Sequence, residues 1–143
     1  MANEPSIAES LSRAHKALRK DLQRLEDSIH RTSDSGMSEI RVIFAATRIH
    51  ILDHFRFEEK NGYMDKVRKR EPRLDHAIDQ LAAEHRRLDQ ALDDLIQKVK
   101  QAPILDEDLR ARTREWIQGV RQHEAREDEL VQDAFNLDIS AED

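Results

Sequence analysis

The sequence predicts an all-α protein, an up-down-up-down bundle of four helices. Three observations carry this. Apolar residues recur in steps of three and four along four long segments, the spacing that lines one face of a helix. Only three glycines and three prolines occur in 143 residues, and Pro5, Pro72 and Pro103 fall where those segments begin or end. The connections are short, which favours antiparallel neighbours. The length suits a single domain, 1–143, with one core spanning about 7–137 and an acidic tail at 138–143.

The first helix starts at Pro5-Ser6-Ile7, where Ser6 and Glu9 have capping-box spacing. Its stripe is Ile7, Leu11, Ala14, Leu18, Leu22, Leu25 and Ile29, with His15 at the edge, and it ends at Thr32-Ser33-Asp34-Ser35-Gly36. The second helix begins near Ser38 with the stripe Ile40, Phe44, Thr47, Ile51, His54, Glu58. Asn61-Gly62 resembles a C-cap. Tyr63, Met64 and Val67 continue the apolar content, so the expectation is a bent helix crossing Gly62 at a cost of about 1 kcal/mol and reaching Arg70.

Pro72 fits the first turn of the third helix, whose stripe is Leu74, Ile78, Leu81, His85, Leu88, Leu92, Leu95, Val99. Ala102-Pro103 ends it. Asp106 can cap the fourth helix, with Glu107 and Asp108 favourable in its first turn. The fourth stripe is Leu109, Thr113, Trp116, Val120, His123, Glu127, Leu130, Ala134, and the chain is expected to fray from Asn136.

Composition removes several function classes. There is no cysteine, which excludes disulfides, thiolate metal sites and iron–sulfur clusters. The formal net charge is -6 and no basic block stands out, which argues against nucleic acid. No apolar run approaches the ~20 residues needed to span a bilayer, and the N-terminus lacks the pattern of a signal peptide. A cytoplasmic protein without a membrane partner is the expectation.

Within the stripes an internal repeat carries chemistry. His15 and His85 are 70 residues apart; His54 and His123 are 69 apart, as are Glu58 and Glu127. Each half is thus a helical hairpin with one His and then a His-x-x-x-Glu. Counting to the turns, at about 1.5 Å per residue, puts all six in one layer, provided the second helix runs on past Gly62. His15 lies 17 residues before Thr32, His54 lies 19 after Ser35, His85 lies 17 before Ala102 and His123 lies 18 after Leu105. His30 and His76 fall off the stripes and are assigned to solvent. His50 is read as outer support or plain packing.

A single His-x-x-x-Glu arises by chance in charge-rich helices, and a lone core histidine is usually just hydrogen-bonded. Six such groups in one buried layer cost several kcal/mol each without partners. A polar network would need cationic donors, and no Arg or Lys stands on the stripes at this level. Metal binding by His15, His54, Glu58, His85, His123 and Glu127 is the stronger reading. Imidazole plus carboxylate suits iron, zinc or manganese, and six ligands exceed one tetrahedral zinc but suit two metals bridged by Glu58 and Glu127.

The chain resembles the hemerythrin-like (HHE cation-binding) family. The resemblance rests on His15, on His54-Phe55-x-x-Glu58-Glu59, on Glu84-His85-x-x-Leu88 and on His123-x-x-x-Glu127-Asp128, and spans about residues 7–137. It implies a four-helix bundle holding two non-haem iron ions (Fe2+/Fe3+) joined by an oxo or hydroxo group. His15 and His54 would serve one iron, His85 and His123 the other, with Glu58 and Glu127 as bridges. Oxygen-carrying members have a His-x-x-x-His pair on the third helix; here Asp89 takes the second place, as a seventh ligand or facing solvent. Gly119 and Glu124 flank His123 where carriers keep a bulky apolar oxygen pocket, so a polar pocket is expected here. The resemblance implies binding of O2 or a related small ligand (NO, peroxide) for sensing, storage or delivery, sensing requiring a separate signalling partner. The alternatives are a di-iron enzyme acting on peroxide or O2, or a metal-stapled interaction bundle.

Overall fold

Helix α1 runs over Ile7–Arg31 and buries Leu11, His15, Leu18, Leu22, Leu25 and Ile29, one inward stripe. The computed structural model describes the backbone of residues 7–142 and the side chains of 7–60 and 62–135. The Ser6 cap expected for α1 lies outside the described residues. After a turn come α2 (Met37–Asn61), α3 (Tyr63–Arg70), a single 3-10 turn (Pro72–Leu74), α4 (Asp75–Gln101) and α5 (Glu107–Glu142). Among the described residues there is no strand. Pro72 opens the 3-10 turn and Asp106 Oδ1 accepts the Leu109 N–H at 2.8 Å, the cap expected for the last helix.

One local expectation needs correction. The second helix does not bend across Gly62; it stops there. Gly62 takes φ 63° and ψ 33°, and its N–H donates to Glu59 O at 3.2 Å, a left-handed C-cap. Glycine has no Cβ to oppose that conformation, so a clean stop is easier here than a strained bend. The helix resumes at once, Lys66 N–H donating to Gly62 O at 3.1 Å, so one residue is spent on the break. At the other end the backbone of α5 is helical as far as Glu142, and the side chains of the tail expected to fray from Asn136 lie outside the described residues. No glycine or proline in that stretch stops a helix.

The four long helices form a ring of contacts: α1 packs on α2 and α5, and α4 packs on the same two. At one end the two turns meet, Leu105 N–H donating to Asp34 O at 2.8 Å. Arg110 of α5 reaches the end of α1, donating to Ile29 O, to Thr32 O at 2.9 Å and to Asp34 Oδ1 at 3.0 Å. Arg41 of α2 does the same for α4, at Val99 O (3.2 Å) and Ala102 O (3.1 Å). Both guanidinium groups thus satisfy carbonyls that helix ends leave open, where the helix dipole favours a cation. Elsewhere Arg70 donates to Ala134 O at 2.9 Å and Arg73 to Asp133 at 2.7 Å, tying the end of α3 and the 3-10 turn to α5.

The apolar core is in two parts. The larger holds Leu18, Leu25, Phe44, Ile51, Leu92, Trp116 and Val120 among others. The smaller holds Leu11, Tyr63, Val67, Leu74, Ile78, Val131 and Ala134. Along each long helix one candidate ligand falls between these parts: His15 between Leu11 and Leu18, Glu58 between Phe55 and Tyr63, His85 between Ile78 and Leu92, Glu127 between Val120 and Val131. Buried Thr47 and Thr113 cost little, because each hydroxyl donates to the carbonyl four residues back, Ile43 O and Leu109 O, at 2.8 Å. Replacing Gly62 by Ala forces a side chain into the left-handed region, so Gly62→Ala should destabilise the fold by about 1 kcal/mol. A urea midpoint equal to that of the parent protein would show that the break is not held by glycine.

Candidate metal centre

The inward stripes deliver their polar members to one place. His15, Glu127 and His123 are almost fully buried, His54 and Glu58 nearly so, and His85 is half-buried. His15 belongs in the middle of the α1 stripe, not at its edge, because α5 and α2 close over it from both sides. The six converge although the chain breaks at Gly62, since all six lie outside α3.

All four imidazoles point Nε2 at the two carboxylates. His15 Nε2 is 3.4 Å from Glu58 Oε1 and 3.3 Å from Glu127 Oε1. His54 Nε2 contacts Glu58 Oε1, while His85 Nε2 lies 3.4 Å from the other oxygen, Oε2. His123 Nε2 is 3.4 Å from Glu127 Oε1. Each carboxylate therefore faces histidines from both halves of the chain. The rings also pair by half: His15 with His54 at 5.3 Å between centroids, His85 with His123 at 4.5 Å.

These inward atoms lack hydrogen bonds. The Nε2 atoms of His15, His54, His85 and His123, with Glu58 Oε1 and Glu127 Oε1, are buried and unpartnered within the protein. Lone pairs of both ligand types, aimed at a common space and shielded from water, are what a cation requires and what a plain polar network would not leave open. One ligand atom each from His15, His54, Glu58 and Glu127 lie within 4.8 Å of one another, and so do those of His85, His123 and Glu127. The cluster fits a metal site.

The outward nitrogens are held by carboxylates. His15 Nδ1 donates to Asp128 Oδ1 at 2.9 Å, and His123 Nδ1 donates to Glu84 Oε1 at 2.6 Å. The second Glu84 oxygen accepts from Arg126. A proton fixed on Nδ1 leaves the Nε2 lone pair for a metal and sets the ring plane. Sequence reading assigned no role to Asp128 or Glu84. A signal existed: each is adjacent to a ligand, and a neighbour on a helix is turned by about 100° toward the next helix.

Electrostatics follow from crowding. Burial works against a charged His15, but Asp128, Glu127 and Glu58 outweigh it and raise its pKa to about 11, so a metal at Nε2 would displace a proton. Burial and then the nearby His85 push His123 down to about 4, against the pull of Glu84. The two carboxylates split: burial would raise both, yet His15, His54 and His85 around Glu58 hold it low, whereas Glu127, beside Glu58, stays well above the usual carboxylate range. A third buried carboxyl, Glu124, has neither oxygen hydrogen-bonded, and burial pushes it up to about 7.

Other expectations sort as follows. Glu124 does not sit in a pocket beside His123; it lies on the Nδ1 side of His15, 4.0 Å away. Gly119 lines a separate surface cleft with Leu88 and Trp116, which none of the six residues enters. Asp89 is half-buried and belongs to neither group of converging ligand atoms. His30 and His76 are exposed, as expected. His50 is a surface residue rather than an outer support, 3.0 Å from Asp21 and 46% exposed. Four residues before His54, it lies about 40° further round α2, at the rim of the cleft between α1 and α2. Glu84→Gln keeps shape but loses the charge that holds His123, and should weaken metal affinity about tenfold. Competition titration with a chromogenic chelator checks this, and an unchanged affinity would remove Glu84 from the centre.

A family model described as the hemerythrin HHE cation-binding domain matches residues 6–135. Searches of curated proteins and of solved structures gave no significant match. The match takes in every residue of the buried cluster and all but the ends of the chain, and the protein therefore belongs to the hemerythrin HHE cation-binding domain family.

Proposed function

We propose that this protein is a non-haem di-iron protein that binds O2 or a related small ligand, NO or peroxide, for sensing, storage or delivery. His15 and His54 would hold one iron and His85 and His123 the other, with Glu58 and Glu127 placed to serve both and an oxo or hydroxo group completing the pair. The observation that carries this is the placement of each carboxylate between imidazoles of both chain halves, with all four Nε2 atoms, Glu58 Oε1 and Glu127 Oε1 buried and without hydrogen bonds. Two adjoining ligand groups that share Glu127 favour two ions over one. Nitrogen-rich ligation with bridging carboxylates suits iron, and an iron pair cycling between Fe2+ and Fe3+ supplies the two electrons that O2 uptake needs. Around it the chain's residues have separate tasks. Asp128 and Glu84 keep protons on the outward nitrogens, and the two apolar clusters limit water from either end of the bundle.

Up-down-up-down order is part of the same reading, supported by the meeting of the 32–36 and 102–106 turns at one end. Cytoplasmic location and a separate signalling partner for sensing are further parts of it. No described helix is long and apolar enough to cross a membrane, and the net charge of -6 disfavours nucleic acid as a partner. A second reading, an enzyme acting on peroxide or O2, draws support from one observation. A cleft of about 420 Å³ reaches four of the six cluster residues, so water-borne substrates have access.

Metal analysis by mass spectrometry on protein purified without chelators or a polyhistidine tag, with a visible spectrum of the same sample, tests the proposal. About two irons per chain with oxo-bridge absorption is the expected result; no metal, or one zinc, in a folded protein sinks it. Glu58→Ala and His85→Ala should each cut iron content sharply while His30→Ala leaves it unchanged. Equal iron in all three variants would refute the ligand assignment.

A further inference from the structure

Helix α2 is apolar on two faces. One is the core stripe through Ile40, Phe44 and Ile51. The other points away from the bundle. Of the four large apolar side chains exposed among the described residues, three are on α2: Val42 at 71%, Ile49 at 60% and Phe57 at 39%. Val42 and Ile49 are seven residues apart, about two turns, with exposed Ala45 and Ala46 between them. Buried Ile51 stands about 200° further round the helix than Ile49, so this strip lies opposite the core.

The charges beside the strip are sorted by sign. Arg41 and Arg48 flank it toward α4, where they donate to Val99 O, Ala102 O and Asp93. Asp53 flanks it toward α1, lining the cleft between those helices. Glu39, fourteen residues earlier, shares that side. Neither the Asp53 nor the Glu39 carboxylate has a partner among the described residues.

We propose that this face of α2 seats a second copy of the chain, α2 against α2, with the two helices parallel about a two-fold axis. In such a pair Val42 meets Val42 and Ile49 meets Ile49, and Ala45 of one copy meets Ala46 of the other. The alanines let the helix axes approach to about 8–10 Å. β-branched residues at seven-residue spacing favour parallel pairs. A two-fold axis along the helices also brings opposite flanks together, so Arg48 of one copy faces Asp53 of the other. Arg48 donates to Asp93 through Nε at 3.1 Å, which leaves its terminal nitrogens for that contact. Antiparallel pairing would set arginine flank on arginine flank and carboxylate on carboxylate, a like-charge cost. Arg56, seven residues after Ile49, ends the apolar strip. From Ser38 to Arg56 the strip is about 27 Å long and buries on the order of 1,000 Å² in all, the low end of specific interfaces. The dimer is therefore weak and concentration-dependent. It does not rest on the di-iron reading, but α2 also carries His54 and Glu58, so a parallel pair holds two polar layers side by side at one height.

The test is sedimentation of the full chain from micromolar to millimolar concentration, with disulfide trapping. The parent should pass from monomer to dimer. Ile49→Lys, at an exposed position that leaves the core intact, should raise the midpoint about tenfold or more while circular dichroism shows the same helix content. The chain has no cysteine, so an introduced one can pair only with its own copy. Val42→Cys and Ile49→Cys should both give disulfide-linked dimer on mild oxidation, at least about tenfold more than Lys20→Cys on the exposed face of α1. A parent that stays monomeric at millimolar concentration overturns the proposal and leaves the face to a different partner or to none. A dimer unmoved by Ile49→Lys overturns the choice of face. Trapping at 49 without trapping at 42 marks an antiparallel pair, in which one position alone meets itself, and overturns the parallel arrangement.

Discussion

Six polar side chains in one layer, five buried and His85 half-buried, with apolar side chains above and below, are the constraint on which the rest of this structure depends. A four-helix bundle gains its stability from continuous apolar stripes. Here each long helix gives up one or two core positions to His or Glu, and the inward atoms are left without hydrogen bonds. Burial of such groups is costly unless opposite charge or a metal compensates. The pKa pattern shows the same tension, with Glu58 held low by three imidazoles and Glu127, beside it, driven high. Nearby features are arranged around that layer. The apolar clusters shield it, and the threonines that share its stripes turn their hydroxyls to their own backbone.

Helix α5 is the hub of the layer. It supplies His123 and Glu127, and it also supplies Asp128, which holds His15 of α1. In return it takes support from α4, where Glu84 holds His123 and is itself held by Arg126 of α5. The packing agrees, since α1, α3 and α4 all lie against α5. The two halves of the repeat are therefore alike in their ligands and different in their supports. His15 is anchored by a carboxylate from the helix it faces across the bundle contact, while His123 is anchored through a carboxylate–guanidinium pair at the edge of a surface cleft. Near-symmetry in sequence has become asymmetry in enclosure, and that asymmetry separates a closed side of the cluster from an open one.

Much of this was legible before any coordinates. Steps of three and four identified the buried face of each helix nearly residue by residue, including Thr47 and Thr113. The same steps placed His54, Glu58, His123 and Glu127 inward. Two readings failed for a shared reason. His15 was set at the stripe's edge and His50 read as outer support or plain packing, yet His15 is fully buried and His50 faces solvent. A stripe gives the centre of a face; how far burial extends to each side depends on which neighbouring helices close over it. At Gly62 the apolar pattern spoke for continuity and the Asn-Gly pair for a stop, and glycine's ease at positive φ settled it.

The sequence by itself determined what is periodic and local: four long helices, their inward stripes, and the six metal-type residues spaced to meet in one layer. Helical rise and turn are constant, so position along a helix and angle around it can be counted from residue numbers. Only the tertiary structure decided what depends on neighbours far away in the chain. Asp128 is 113 residues from His15, and Glu84 is 39 from His123, and no local rule pairs them. The same holds for Glu124 lying beside His15, and for the cleft that opens on His85 and His123 instead of on His15. These are properties of the space between helices, set by how their side chains interdigitate, and that space has no counterpart in the order of residues along the chain.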